Sequence, residues 1–165
     1  LGTVKDGDVA APPTVTLREA MALAADRDRI ARAYVTDYDD VFAFGLPALE
    51  AARRAAASET LAVTALHMGL LASFPDSHIV RKYGAAAADA VRQEAIGLSP
   101  AWKPAPRPET WPALMALDAS LKARELNPGT TADFVVTTLF ADRLGGSAAA
   151  REPSQPLVED AIMGH

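Results

Sequence analysis

Two stretches of this chain gather the residue types that hold a polyphosphate. In Asp76-Ser77-His78-Ile79-Val80-Arg81-Lys82-Tyr83-Gly84, the side chains of His78, Arg81 and Lys82 fall at i, i+3 and i+4. They share one face of any helix that starts here. Asp76 or Ser77 then stands at the positive end of that helix, where free N–H groups and two fixed cations converge on a spot suited to an anion. The same spacing also describes an ordinary capped helix with solvated basic side chains. In Asn127-Pro128-Gly129-Thr130-Thr131-Ala132-Asp133, a loop feeds an amphipathic helix. Gly129 lets backbone approach a ligand, and Thr130 and Thr131 offer hydroxyls to phosphate oxygens or to the helix start. Asp133, in the first turn, supplies a carboxylate suited to Mg²⁺ beside a nucleotide. A local alternative stands here too, because Thr130 and Asp133 have the spacing of a capping box. Two such helix starts in one small chain say more than either does alone.

Other polar features point more weakly. His67 lies on the Val63–Leu70–Phe74 side of its helix and reads as a core or supporting histidine rather than a ligand. His67, His78 and His165 lack the compact spacing of a zinc site. Asp37, Asp39 and Asp40 cluster before a helix, where capping and solvation account for them more simply than a metal. Asp26-Arg27-Asp28-Arg29 reads as a salt-bridged outer helix face. The chain holds no Walker loop, no Rossmann fingerprint, no nucleophile elbow and no His-Glu-x-x-His.

The elements that must position these residues are helical. The chain has 165 residues and a mass of 17.3 kDa, enough for one domain with a real core. Apolar residues make up 50% and charged residues 22%, which excludes a wholly disordered chain. No run approaches the roughly 18 apolar residues of a membrane span. A net charge of −5 has the wrong sign for a general nucleic-acid binder. The absence of cysteine excludes disulfides and thiol catalysis, and with a start unlike a signal peptide it fits a reducing, cytoplasmic setting. Alanine fills about a fifth of the chain and strand-like alternation is almost absent, so the expected class is all-α, a bundle of about six to seven helices.

An extended arm is expected over residues 1–15, a helical domain over 16–146 and a tail over 147–165 with a short helix near Leu157 to Met163. Thr16 and Glu19 form a capping box that opens a helix from Leu17 to about Val35, with Met21, Ala24 and Ala25 facing inward. Further helices are expected over Ala48–Ala57, Glu59–Ser73 with Ser58 as N-cap, and about Asp76 to Ala95. A Pro-rich connector over 100–112 is expected to be non-helical, followed by a helix carrying Leu114, Leu117 and Leu121. The last helix presents Ala132, Val135, Val136, Leu139 and Phe140 as its stripe and ends at Gly145-Gly146.

Taken together, the two polar stretches resemble the triphosphoribosyl-dephospho-CoA synthases, in particular their divergent, archaeal-type branch. Members carry a helix start of the form Asp-Ser/Thr-Asn/His with a following basic pair and glycine, here Asp76 to Gly84. Some forty to fifty residues later they carry a Ser/Asn-Pro-Gly-Gly/Thr-Ser/Thr-Ala-Asp motif, here Asn127 to Asp133. Similarity extends over roughly Thr14 to Leu144, including Ala25-Asp26-Arg27-Asp28. The family's N-terminal Pro-Lys-Pro-Gly segment and the His/Asp segment after it have no counterpart in this sequence. The expectation is therefore the C-terminal part of such a protein, or a shortened relative.

The resemblance implies an all-α enzyme that moves the 5-triphosphoribosyl group of ATP to the 2′-hydroxyl of 3′-dephospho-CoA and releases adenine. Its product is the prosthetic-group precursor of acyl carrier proteins. It implies catalytic and metal roles for Asp76 and Asp133, with Mg²⁺ accompanying ATP. It also implies substrate or phosphate contacts from Ser77, His78, Arg81, Lys82, Gly84, Asn127, Gly129, Thr130 and Thr131. Neither nucleic acid nor membrane is an expected partner, and a homodimer suits the Ala-rich surface. Two other readings stand beside this one: a non-catalytic relative that binds a nucleotide or partner, and a same-fold enzyme for a different nucleotide or cofactor precursor.

Overall fold

The computed structural model describes residues 14–149, and the described residues are helical with no strand. The expected arm up to residue 13 and the expected helix near Leu157 to Met163 lie outside them. The chain opens with α1 (Leu17–Ala22) and α2 (Arg29–Val35). A π-helical turn (Asp40–Gly45) then runs directly into α3 (Leu46–Ala55). The core helix α4 (Glu59–Ser73) follows, then α5 (Ser77–Tyr83) and α6 (Ala85–Gly97). The short α7 (Ser99–Trp102), α8 (Trp111–Ala123) and the long α9 (Gly129–Ala149) complete the bundle.

Local chemistry explains most of these boundaries. Thr16 and Glu19 form the expected reciprocal capping box, and Ser58 accepts the Leu61 N–H to start α4. Two expected helices are instead each broken in two. The Asp28 carboxylate accepts the N–H groups of Ile30 and Ala31, so it begins α2 rather than sitting inside a continuous helix. The chain leaves the first helix after Ala22 and re-enters helix only at Arg29, behind that cap. Asp26 and Arg27 therefore lie in a turn, Asp28 is a cap and Arg29 opens α2, so the four form no continuous outer helix face; α1 buries none of its residues. The second break is at Gly84, whose φ of 89° is a conformation that side-chain-bearing residues rarely adopt.

The Pro-rich stretch also departs from expectation. Pro100 and Pro112 sit in the first turns of α7 and α8, where a missing N–H costs nothing. Between them the chain is irregular but anchored, since the Thr110 hydroxyl donates to the Ala101 carbonyl at 2.7 Å and the Trp102 indole to the Ala95 carbonyl at 2.9 Å. At the other end of the bundle, α9 continues past Gly145-Gly146 to Ala149.

The core has two lobes that share α4. Leu66 and Leu70 pack with Val41, Leu49, Phe134 and Val135, while Met68 and Leu71 pack with Ile79, Val91, Leu114, Leu117 and Leu121. Apolar on nearly every side, α4 reads as a buried helix rather than a surface one. The inner face of α9 is Thr131, Phe134, Val135 and Thr138, whereas Val136 and Phe140 from the expected stripe are 66% and 62% exposed. Thr138 is fully buried and satisfies its hydroxyl on the Phe134 carbonyl at 2.7 Å. That side chain lies hard against Gly45, where a methyl group would come within 3.1 Å of Thr138 Cγ2 and closer still to its oxygen.

Gly45→Ala is accordingly expected to cost about 1–3 kcal/mol by overpacking, read from the urea midpoint. The same substitution in a Thr138→Ala background is expected to cost markedly less. Additive costs would show that the contact does not limit packing.

Candidate functional site

The Asp76 carboxylate ties together two helix starts that lie far apart in sequence. Its Oδ1 accepts the His78 and Ile79 N–H groups at 2.9 and 3.1 Å, capping α5. Its Oδ2 accepts the Thr131 N–H at 2.7 Å and the Thr131 hydroxyl at 2.8 Å, capping the first turn of α9. Asp76 is 2% exposed, so these bonds form away from competing water. Thr130 and Ser77 extend the junction: the Thr130 hydroxyl oxygen accepts the His78 N–H at 3.1 Å, and that of Ser77 accepts the Arg29 N–H at 3.0 Å. Three helix N-termini, those of α2, α5 and α9, therefore meet at one place. Their summed positive ends call for negative charge, supplied here by Asp28 and Asp76.

Arg29 completes the junction from below. Its guanidinium lies 3.6 Å over the Phe74 ring and pairs with Asp40, each side chain less than a fifth exposed. Burial lowers the guanidinium from its ordinary value, and the charge and hydrogen bond of Asp40 oppose that shift. Asp40 is thus an ion-pair partner and Asp37 another, with Arg18. Among the described residues no group of three or more His, Asp or Glu side chains has metal-binding geometry.

The cationic members of the first motif line the outer edge of this junction. His78 sits over Gly129, where a side chain would meet its ring at 3.5 Å. Arg81 Nη2 lies 3.1 Å from His78 Nδ1, within reach for the guanidinium to donate to the ring. Arg81 also approaches Asp28 at 3.8 Å but remains largely exposed. Lys82 lies 5.0 Å from the centre of the Tyr83 ring, and Tyr83 donates to the Glu125 carbonyl at 3.1 Å. Gly84 ends the helix that carries them. Asp133 is not part of the junction. Two residues beyond Thr131, it points about 200° around α9 and is exposed on the same face as Val136 and Phe140.

Against the 125–128 loop lies a cleft of about 620 Å³ between α4, α8 and the start of α9, bordered by Asn127 and Pro128. Its walls are mainly apolar, from Met68, Leu71, Leu114 and Leu117 among others, and His67 faces into it. Burial holds the His67 imidazole below its ordinary value, while the nearby Asp76 charge acts in the opposite sense. Of the functional candidates, Arg29 and this cleft have no local sequence signal. Both arise from residues that meet only in three dimensions.

An all-α bundle whose two motif-bearing helix starts are bound to one carboxylate sets the class of protein. The family model for CitG, described as ATP:dephospho-CoA triphosphoribosyl transferase, matches residues 1–152, and the chain belongs to that family. It is thus of triphosphoribosyl-dephospho-CoA transferase type. No curated protein and no solved structure matches it significantly.

Two stability predictions follow the geometry. Asp76→Asn places an NH₂ group among N–H and O–H donors, with an expected cost of about 2–4 kcal/mol in urea unfolding. Asp133→Asn, on an exposed face, is expected to change stability by less than about 0.5 kcal/mol. Acid should also act through His67, whose ordinary value is 6.5. The unfolded chain takes up a proton there at a higher pH than the folded chain does, so stability is intact above pH 6.5 and falls as pH drops toward and through the folded value. Between pH 7 and 5 the urea midpoint of His67→Gln should therefore fall less than that of the parent chain.

Proposed function

We propose that this chain transfers the 5-triphosphoribosyl group of ATP to the 2′-hydroxyl of 3′-dephospho-CoA, releasing adenine and yielding a prosthetic-group precursor for acyl carrier proteins. The observation that carries this reading is the family match together with the way Asp76 binds the two motif-bearing helix starts to each other. Breaking the ribose C1′–N9 bond builds positive charge on the sugar, and the attacking hydroxyl must lose a proton. A suitable site holds the triphosphate with cations, sets one carboxylate near the sugar and keeps the reactants aligned.

Within that scheme the two acidic candidates take different parts. All four hydrogen bonds to Asp76 come from the protein, so it is a positioning residue that fixes His78, Ile79 and Thr131. Asp133 is exposed in the first turn of α9 and supplies the carboxylate for the Mg²⁺ that arrives with ATP, or for the hydroxyl proton. Arg81 and Lys82, exposed at the end of α5, bind the triphosphate, and Gly129 keeps the approach over His78 free of a side chain. His78 orients the ribose or base, with Ser77 and Thr130 holding its helix start and Gly84 and Asn127 bounding the two motif loops.

Chromatography of Mg²⁺·ATP incubated with the chain is expected to show adenine release that requires 3′-dephospho-CoA. Lys82→Ala or Arg81→Ala should raise the KM for ATP by roughly tenfold, and Asp133→Asn should lower kcat by about 10²-fold or more at unchanged stability. Adenine release indifferent to dephospho-CoA, or Asp133→Asn and Lys82→Ala variants with parental affinity and turnover, would sink the assignment.

A further inference from the structure

The cleft beside His67 is not explained by the phosphate-binding scheme. Neither Arg81 nor Lys82 lines it, and its volume of about 620 Å³ is that of a small-molecule site. The charged side chains that line it do not attract an anion: Lys122 is paired with Asp118 at 2.7 Å, and Glu125 adds a further negative charge. Inside, the walls offer Leu side chains and the thioether of Met68, which suit the faces of a flat ring. His67 lines this space, burial holds its imidazole below its ordinary value, and among the described residues no hydrogen bond reaches either ring nitrogen. A neutral imidazole there presents one donor and one acceptor to whatever fills the cleft.

We propose that this cleft seats an uncharged heteroaromatic ring, the nucleobase of a nucleotide substrate, with its polar edge hydrogen-bonded to His67 and its faces against the apolar walls. The inference rests on the proposed function for the identity of that base, which is adenine in both ATP and dephospho-CoA. A flexible chain bearing several amides fits less well, because a largely apolar wall would leave those amides without partners. Placement of the base here leaves the phosphates outside, toward the cleft's edge at Glu125, whose carbonyl accepts the hydroxyl of Tyr83, the residue after Lys82 on α5.

The probe is adenosine, which carries the ring without phosphate, titrated calorimetrically into the full chain. Saturable binding is expected, weakened about tenfold or more in His67→Phe and largely restored in His67→Gln, which keeps a donor and an acceptor. Ala132→Trp, which fills the cleft from the exposed side of α9, should also abolish it while circular dichroism reports an unchanged fold. Titrations of His67→Phe with ATP alone and with dephospho-CoA alone then tell which base occupies the cleft, since only that ligand loses affinity by the same factor. The proposal is overturned if adenosine does not bind, if it binds His67→Phe and Ala132→Trp as tightly as the parent, or if pantetheine displaces it. His67-dependent adenosine binding without dephospho-CoA-dependent adenine release would sink the proposed function and leave the cleft assignment standing. Normal release with an unchanged KM for both substrates in His67→Phe would do the reverse.

Discussion

One buried carboxylate bears the architecture of the candidate site. Asp76 meets backbone from its own helix and from a helix 55 positions further along the chain, and it does so at 2% exposure. A buried charge is tolerated only when its hydrogen-bonding capacity is filled. Here the donors are the N–H groups that the first turns of two helices would otherwise leave without partners. Each side solves the other's problem. The helix ends neutralise the carboxylate, and the carboxylate fixes the angle and spacing at which α5 and α9 approach. Everything that the two motifs offer a ligand, from the His78 ring over Gly129 to the Arg81 side chain, is placed by that arrangement.

The arrangement also separates two acidic residues that motif chemistry treats alike. Asp76 and Asp133 each stand at the start of a helix, but the turn of α9 sends them to opposite sides of it. One faces protein donors and the other faces outward. The electrostatics around the junction follow the same division of labour. Negative charge sits inward, in the half-buried Asp28 and Asp40 and the buried Asp76, while the positive charges of Arg81 and Lys82 remain exposed.

Much of this was legible in the sequence wherever the cause is local. The Thr16 box, the Ser58 cap, the Leu114–Leu117–Leu121 face and the helix start at Asp76 depend on residues within one or two turns, and all appear in the fold. The breaks at Asp28 and Gly84 escaped because an alanine-rich, helix-favouring composition hides a cap or a left-handed glycine inside it. The inner face of α9 was legible only in part: Val135 and Leu139 pack inward as expected, but part of that face is polar. Thr131 and Thr138 are polar yet buried, one bound to Asp76 and the other to its own helix, so a search for apolar periodicity selects Val136 and Phe140 instead. Arg29 over Phe74 and the cleft beside His67 depend on contacts between distant segments, which no local pattern encodes. The shared motifs identified the family because they are themselves the contact surfaces of the Asp76 junction.

The sharing of α4 between two core lobes has a consequence for how the molecule comes apart. A helix with a solvent face can loosen on that side while the rest of the domain holds. In α4, Leu66 and Leu70 are committed to one lobe and Met68 and Leu71 to the other, so neither lobe can open without stripping the helix from both. Its mid-helix amides should therefore exchange with solvent deuterium only through whole-domain opening, at rates tracking global stability, while those of α1, which buries no residue, exchange through local fraying.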